Sequence, residues 1–267
     1  MMRRRDPLAG SLLGRMGLVF FYIVLLAPIA VVIPVSMDGA ALLEFPPRHF
    51  SLRWYAAVFH DDQILSACLT SVELGLAVTM LSLAIGLPAA LALDRRGWPG
   101  RAAVAALFAA PLILPAVVLG LGLLMALIPL GMMATFPGLA LAHLIVVLPY
   151  VVRLLGGALA ARAPGLDDAA MTLGAGAFDR FRLVTLPLLR GPIIAAAALA
   201  FLTSFDEAVV SLFLTGPGLI TLPVRMFVDI SSRSDPRVAA LSVLVLGATA
   251  LLLFVVEKLA GLARATT

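Results

Sequence analysis

The sequence predicts an all-α membrane protein with six transmembrane helices, because of its composition and the way its apolar residues are grouped. Of its 267 residues, 62% are hydrophobic and 13% are charged, whereas soluble domains average about 45–50% apolar and about 25% charged residues. The apolar residues form six runs, each long enough for a helix rising about 1.5 Å per residue to cross about 30 Å of hydrocarbon. We expect one transmembrane domain, 1–267, with spans at about 17–35, 64–93, 102–127, 136–155, 192–214 and 238–262.

The first two spans need separate interpretation. Four arginines precede the first span, as in a secretory signal, but its apolar run, 17–35, is longer than the apolar region of a signal peptide, which has roughly 7–15 residues. We therefore predict that this span is retained. The second span is longer than a bilayer requires and contains Pro88, so a tilt or a kink is expected near its inner end.

The basic residues predict which side of the membrane each loop faces. Of the 19 Lys and Arg residues, 14 lie at the N-terminus, in 94–101, in 153–191 and at the C-terminal end, and 5 lie in the three opposite loops. Because cytoplasmic loops carry the excess of positive charge, both termini are predicted to be cytoplasmic. The arginines are spread over loop ends and are not interleaved with aromatic residues on one helix face, so nucleic-acid binding is not indicated.

The residue types also exclude several kinds of chemistry. The sole lysine, Lys258, lies outside any glycine-rich loop, so the chain has no P-loop, and any ATP used must be hydrolysed on another chain. The sole cysteine, Cys68, excludes a multi-cysteine metal site, and His49 and His60 have no further ligands at metal spacing. Zinc-protease and serine-hydrolase motifs do not occur. We predict no enzyme activity, catalytic residue, metal site or cofactor in this chain.

The longest predicted cytoplasmic loop, 156–191, reads as two short helices. Asp167 and Asp168 place negative charge near the N-terminus of the first helix, where the helix dipole favours it. Gly174 suits the left-handed residue that ends this helix. The second helix is expected to carry an apolar stripe and to stop at Pro187. The loop is therefore predicted to be an exposed helical hairpin.

This loop contains a spaced pattern, written in order as Asp168-Ala169-Ala170, three residues, Gly174, nine residues and Val184-Thr185-Leu186-Pro187. The pattern resembles the E-A-A-x3-G-x9-I-x-L-P signature of the integral-membrane subunits of binding-protein-dependent ABC importers. It departs from that signature at Asp168, where the family usually has Glu. The loop also precedes the last two predicted spans, as it does in that family.

The resemblance implies the fold of a type I ABC importer permease, in which this loop forms a coupling helix that docks onto an ATP-binding subunit. According to the resemblance, the residues that transmit ATP-driven closure to the spans are Asp168, Ala169, Ala170, Gly174, Val184, Leu186 and Pro187. The partners it implies are two ATP-binding subunits that hold ATP and Mg²⁺, a second and different permease chain, an extracytoplasmic solute-binding protein and the lipid bilayer. The location it implies is the bacterial inner membrane.

Further segments resemble the spermidine/putrescine branch of these importers, namely 51–55, 148–150, 204–217 and 221–227. The resemblance implies a small cationic cargo, with spermidine or putrescine as the leading case. Two alternatives stay open. One is an importer permease for another small solute, such as an amino-acid-like compound, an opine, a metal or an anion. The other is an ion-driven secondary transporter, against which stand the small number of spans and the long hairpin.

Three carboxylates, Glu73, Asp206 and Glu207, fall inside predicted spans. A charge there costs about 2.5–3.5 kcal/mol on insertion scales, so each is expected to face a cavity or a partner. Glu73 and Asp206 would lie at similar depths, roughly 14 Å and 12 Å from the outer ends of their spans. Asp206 and Glu207 are predicted to line a substrate path or gate that attracts ammonium groups. Glu73 is a candidate for the same path, although for it a hydrogen bond to a neighbouring helix or to an arginine of the partner permease is the leading alternative. His143 is predicted to be a helix-packing hydrogen-bond donor.

Overall fold

The computed structural model describes residues 12–40, 45–47, 49–95, 97–232 and 236–260. Where the sequence predicts one domain, the contacts group into two compact units, Met1–Asp61 with Asp229–Gly247, and Asp62–Val228 with Ala248–Thr267. The helices are α1 (Leu12–Ser36), α2 (Arg53–Phe59), α3 (Asp62–Asp94), α4 (Arg101–Ile113), α5 (Ala116–Leu127), α6 (Phe136–Ala160), α7 (Leu166–Thr172), α8 (Ala177–Asp179), a π-helical segment (Arg180–Thr185), α9 (Leu186–Phe205), α10 (Val209–Leu214), α11 (Leu222–Ser232) and α12 (Arg237–Ala260). Within the described residues, β pairing is limited to two isolated bridges. The all-α fold class is confirmed.

The membrane character of the fold is also confirmed. Among the described residues, five helices are long and apolar enough to cross a membrane, or six if one bent pair counts as a single span. α3 is one helix through Pro88, and α6 extends to Ala160, so the start of the predicted loop 156–191 is helical. The end of the last predicted span, 261–262, lies outside the described residues.

The third predicted span, 102–127, is not a single helix. α4 ends at Ile113, α5 begins at Ala116, and the two helices are bent by 108° relative to each other. Pro115 causes the break, because its ring disfavours helical backbone in the preceding residue and it has no N–H to donate. Leu114 is accordingly extended, with φ −80° and ψ 137°. The structure therefore corrects the prediction of one continuous helix in this region.

The fifth predicted span, 192–214, differs from the structure at both ends. The helix in which the span begins starts at Ala177 and continues through Pro187, so the second loop helix does not stop at this proline as predicted. The π-helical segment just before it provides a wider turn, which accommodates a ring that clashes with the carbonyl four residues earlier in an ordinary α-helix. At the other end, α9 stops at Phe205 and α10 begins at Val209. Asp206 and Glu207, which were predicted to lie within this span, are therefore in a break between two helices.

Three helices, α3, α6 and α9, form the packed core of the second unit. Glycines allow close approach: a Cβ added to Gly75 would lie 2.9 Å from the Phe201 ring, and one added to Gly86 would lie 2.8 Å from Val151. Small residues of this kind let helices associate in lipid, where apolar burial between helices gives little driving force. The buried side chains of this core include Leu74, Val78, Val147, Val151, Leu155, Ala196 and Ala200. The core holds together the helices to which the predicted coupling loop is attached.

Candidate functional site

The coupling segment, 161–176, joins α6 to the helix that begins at Ala177 and contains the short helix α7. Gly174 has φ +81° and ends α7 in the left-handed conformation, as predicted. Its N–H donates to the carbonyl of Met171, and the N–H of Ala175 donates to the carbonyl of Ala170. These two bonds form a Schellman motif, which satisfies carbonyls that the helix end leaves free. Any side chain at Gly174 would strain this turn.

The coupling segment and the helix after it expose a group of large apolar side chains. Leu173 is 88% exposed, Phe178 69% and Leu183 68%. Asp168 is also exposed, in the first turn of α7, so a carboxylate accompanies this apolar surface. Exposed apolar clusters with polar neighbours mark surfaces that contact another protein. The structure thus places the first half of the signature where a partner can reach it.

The second half of the signature lies on the helix that enters the membrane core. Val184 and Leu186 are half-buried and Pro187 is exposed. Between them, Thr185 is buried at the end of the π-helical segment. This helix is continuous from Ala177 to Phe205, so it connects the end of the coupling segment directly to the polar residues after Phe205.

A cluster around Arg162 ties the coupling segment to the ends of two core helices. We call this group, Arg162 with Asp94, Asp167 and Thr185, the Arg162 cluster. One guanidinium nitrogen of Arg162 lies 2.6 Å from Asp94 Oδ2, at the end of α3. The other lies 3.8 Å from Asp167 Oδ2 in α7 and donates to Thr185 Oγ1 at 3.4 Å. Arg162 Nε donates to the Leu159 carbonyl at the end of α6.

No local pattern in the sequence pointed to the Arg162 cluster. Arg162 and Asp94 are 68 positions apart, and the loop arginine contributed to the prediction only as a count of positive charge. The side chain of Arg162 is 15% exposed and that of Asp94 is 29% exposed, so the pair is partly shielded from solvent. Its geometry, with charge-assisted bonds in three directions, suits a rigid connection between the coupling segment and the membrane helices.

The polar break, residues 206–208, interrupts the fifth predicted span and holds two of the three predicted carboxylates. Asp206 is exposed, and its carboxylate has no hydrogen-bond or ion-pair partner among the described residues. Glu207 is half-buried, and its Oε1 accepts the N–H of Val210 at 2.9 Å. The Ser211 hydroxyl donates to the Glu207 carbonyl at 2.7 Å. Side chains therefore satisfy backbone groups that a break in lipid would otherwise leave unpaired.

His143, buried in α6, connects the two sides of the polar break. Its Nδ1 lies 2.9 Å from Ser204 Oγ in α9, and its Nε2 lies 2.8 Å from Ser211 Oγ in α10. Because the Ser211 proton is committed to the Glu207 carbonyl, Ser211 must accept from Nε2–H, and Nδ1 must then accept from Ser204. The helix-packing role predicted for His143 agrees with this geometry, although sequence reasoning did not identify its partners.

Glu73 lies on the exposed side of α3, apart from these hydrogen bonds. It has no hydrogen-bond or ion-pair partner within the described part of the chain. Two residues further on, Gly75 packs against Phe201 of α9, whose ring stacks on Phe205 immediately before Asp206. Glu73 therefore lies on α3, which packs against α9, and Asp206 follows directly after α9, while their role in a substrate path stays a prediction.

The fold and these sites define a class of protein: a polytopic α-helical membrane subunit with an exposed helix between two spans and a polar break in one of them. Residues 82–262 match the family model described as the binding-protein-dependent transport system inner membrane component. The match covers more than half of the chain. The chain belongs to this family of transport permeases, as the spacing of its loop predicts.

Similar proteins agree with this assignment. The chain is 31% identical to the putrescine transport system permease protein PotI of Escherichia coli K12, over 90% of this chain and 86% of that protein. It is 28% identical to the spermidine/putrescine transport system permease protein PotC of the same strain, over 89% of each. Two structures of a bacterial alginate ABC transporter share the fold. The first has a TM-score of 0.73 at 17% identity and covers 97% of this chain and 98% of the matched chain. The second has a TM-score of 0.67 at 16% identity and covers 94% of this chain and 92% of the matched chain.

Proposed function

We propose that this chain is one permease subunit of an ATP-driven importer for polyamines. The observation that carries the proposal is the coupling segment: its signature residues lie on an exposed surface and connect directly to the core helices through the Arg162 cluster. One of two ATP-binding subunits would dock here from the cytoplasm, the other would dock on the second permease, and the pair would hydrolyse ATP. A second permease chain and an extracytoplasmic binding protein complete the complex, with both termini of this chain in the cytoplasm of a bacterial cell.

Alternating access provides the mechanism. Closure of the ATP-binding pair pushes on the exposed apolar surface around Leu173. The continuous helix from Ala177 to Phe205 carries that displacement to the polar break, while Arg162 makes the end of α3 follow. The break separates α10 from α9, and His143 bonds to both helices, so the angle between them can change there without unwinding either helix. The outward-open state then receives cargo from the binding protein.

A polyamine cargo is supported by two independent observations. The similar permeases PotI and PotC are named for putrescine and spermidine transport. The exposed carboxylates of Asp206 and Glu73 lack protein partners among the described residues, and carboxylates at partly dehydrated positions attract ammonium groups strongly. Glu207 contributes its charge to the same break, although one of its oxygens is occupied by a backbone N–H.

Replacing Asp206 with asparagine tests the cargo path. The amide keeps the shape but loses the charge, and the loss of one charge-assisted contact to an ammonium group is worth about 1.5–3 kcal/mol, so we expect polyamine uptake to fall at least about tenfold. The measurement is ATP-driven uptake of radiolabelled putrescine in proteoliposomes, with complex assembly checked by co-purification of the ATP-binding subunits. Asp62→Asn, an exposed acid at the start of α3, is the matched control. Unchanged uptake by a fully assembled Asp206→Asn complex would remove Asp206 from the path.

A further inference from the structure

A cavity of about 380 Å³ lies between α3, α4 and α6, near the loop that joins α3 to α4. Its α4 wall consists of side chains on one helix face, including Phe108 and Leu112, and its α6 wall runs from Pro149 to Ala160. These walls are apolar. The polar groups that line it are Asp94, Arg101 and Arg153. The lining of the cavity is therefore mostly apolar, and its charged side chains are those of Asp94, Arg101 and Arg153.

The charge inside this cavity is positive once existing pairs are counted. Asp94 is neutralised by Arg162 at 2.6 Å. Arg101 uses its Nε to donate to the Leu93 carbonyl at 2.7 Å, and its terminal N–H groups have no partner among the described residues. Arg153 has no hydrogen-bond or ion-pair partner at all within the described part of the chain. Two guanidinium groups thus face the cavity without a compensating anion.

Arg153 lies within the membrane-spanning helix α6, where a charged side chain needs an anionic partner or access to the headgroups. It lies seven residues before the end of α6 at Ala160, which is about 10 Å along the helix axis. An arginine at this depth in a span is expected to reach toward the headgroup level or to pair with an anion. The positions one turn away on its face that also line the cavity, Pro149 and Gly156, offer no acceptor side chain.

We propose that this cavity binds an anionic phospholipid. Arg153 and Arg101 contact the phosphate, for which the planar guanidinium is well suited, and an acyl chain lies along Phe108 and Leu112. Basic pockets between helices at a membrane surface are suited to anionic headgroups. A polyamine is the wrong ligand, because two uncompensated arginines repel a dication. The site goes beyond the import function proposed above and does not depend on it, since the end of a span lies at headgroup level in either orientation of the chain.

Lipid retention by the assembled complex tests this site. The complex is purified in detergent, exchanged into nanodiscs containing equal amounts of phosphatidylglycerol and phosphatidylcholine, and examined by native mass spectrometry after release from the nanodiscs. We expect phosphatidylglycerol to be retained and phosphatidylcholine to be lost. The Arg101→Gln/Arg153→Gln variant should retain at least about tenfold less phosphatidylglycerol, because two charge-assisted contacts are removed. Arg182→Gln, an exposed arginine that does not line the cavity, should behave as wild type.

Two results would overturn the assignment. One is equal retention of phosphatidylglycerol by the double variant and by wild type in complexes of the same thermal stability. The other is absence of any retained phosphatidylglycerol in the wild-type complex, as expected if the second permease covers the cavity. A further arm adds inorganic phosphate at millimolar concentration to the detergent-purified complex. A site for the whole lipid predicts no displacement of phosphatidylglycerol, whereas displacement would show a free-phosphate site and contradict the proposal.

Discussion

Replacing Arg162 with methionine is expected to remove most polyamine uptake while the complex still assembles and hydrolyses ATP. Methionine keeps much of the apolar stem but deletes the bonds to Asp94, Asp167 and the Leu159 carbonyl. The strong pair is the one with Asp94, at 2.6 Å and partly shielded; the 3.8 Å pair with the more exposed Asp167 contributes less. Losing a charge-assisted bond of this kind costs about 1.5–3 kcal/mol, so the ratio of polyamine transported to ATP hydrolysed should fall at least about tenfold.

The readout that separates coupling from simple destabilisation is this transport-to-hydrolysis ratio. Asp94→Asn should lower the ratio in the same way, and the double variant should be little worse than either single one, because both changes remove the same contact. Arg182→Met, at an exposed position in the π-helical segment that follows the coupling segment, serves as the control. If uptake and ATP hydrolysis decrease in parallel, or if Arg162→Met leaves the ratio unchanged, the Arg162 cluster does not transmit the motion.

Replacing His143 with leucine is expected to destabilise the polar break and to reduce uptake strongly. Leucine has a similar volume but leaves Ser204 and Ser211 without their buried partner. Hydrogen bonds between membrane helices average about 0.6 kcal/mol and reach about 1.7 kcal/mol, so two of them predict a loss of about 1–3 kcal/mol. The thermal unfolding temperature of the purified complex should fall by several degrees.

Glutamine at position 143 is the informative control for that change. A glutamine can still donate to Ser211 from a position close to that of Nε2, so we expect it to recover part of both the stability and the uptake. A leucine variant with the unfolding temperature and uptake of wild type would show that the contacts of His143 across the break are dispensable. A variant with normal stability and no uptake would instead place His143 directly on the transport path, contrary to its buried geometry here.

Much of this fold could be predicted from sequence because its strongest determinants are local. A helix long enough to span lipid needs about 20 apolar residues, and such runs are visible without any knowledge of tertiary contacts. The end of α7 was also predictable, because the left-handed residue of a Schellman motif is most often glycine, and Gly174 stands at that position. The spacing around Asp168 is likewise a local pattern and is sufficient to indicate the family.

The breaks and the long-range contacts could not be predicted in the same way. Hydropathy does not change at Pro115, yet its ring turns the chain by 108° between α4 and α5. Hydropathy also does not show that the helix ends at Phe205, or that the side chains of Glu207 and Ser211 bond to the backbone groups beyond it. The contact between Arg162 and Asp94 depends on α3 and α6 packing side by side, which brings together residues 68 positions apart. Each of these features depends on tertiary packing or on a single side chain, not on periodicity.

The central claim is that this chain moves polyamines only as part of an ATP-driven complex. Its most direct test is uptake of labelled putrescine and spermidine into proteoliposomes that contain this chain, its partner permease and two ATP-binding subunits, with binding protein outside and ATP inside. We expect uptake to require each partner and to stop when ATP is replaced by a non-hydrolysable analogue. Accumulation of polyamine by this chain alone, driven by an ion gradient without ATP, would contradict the claim.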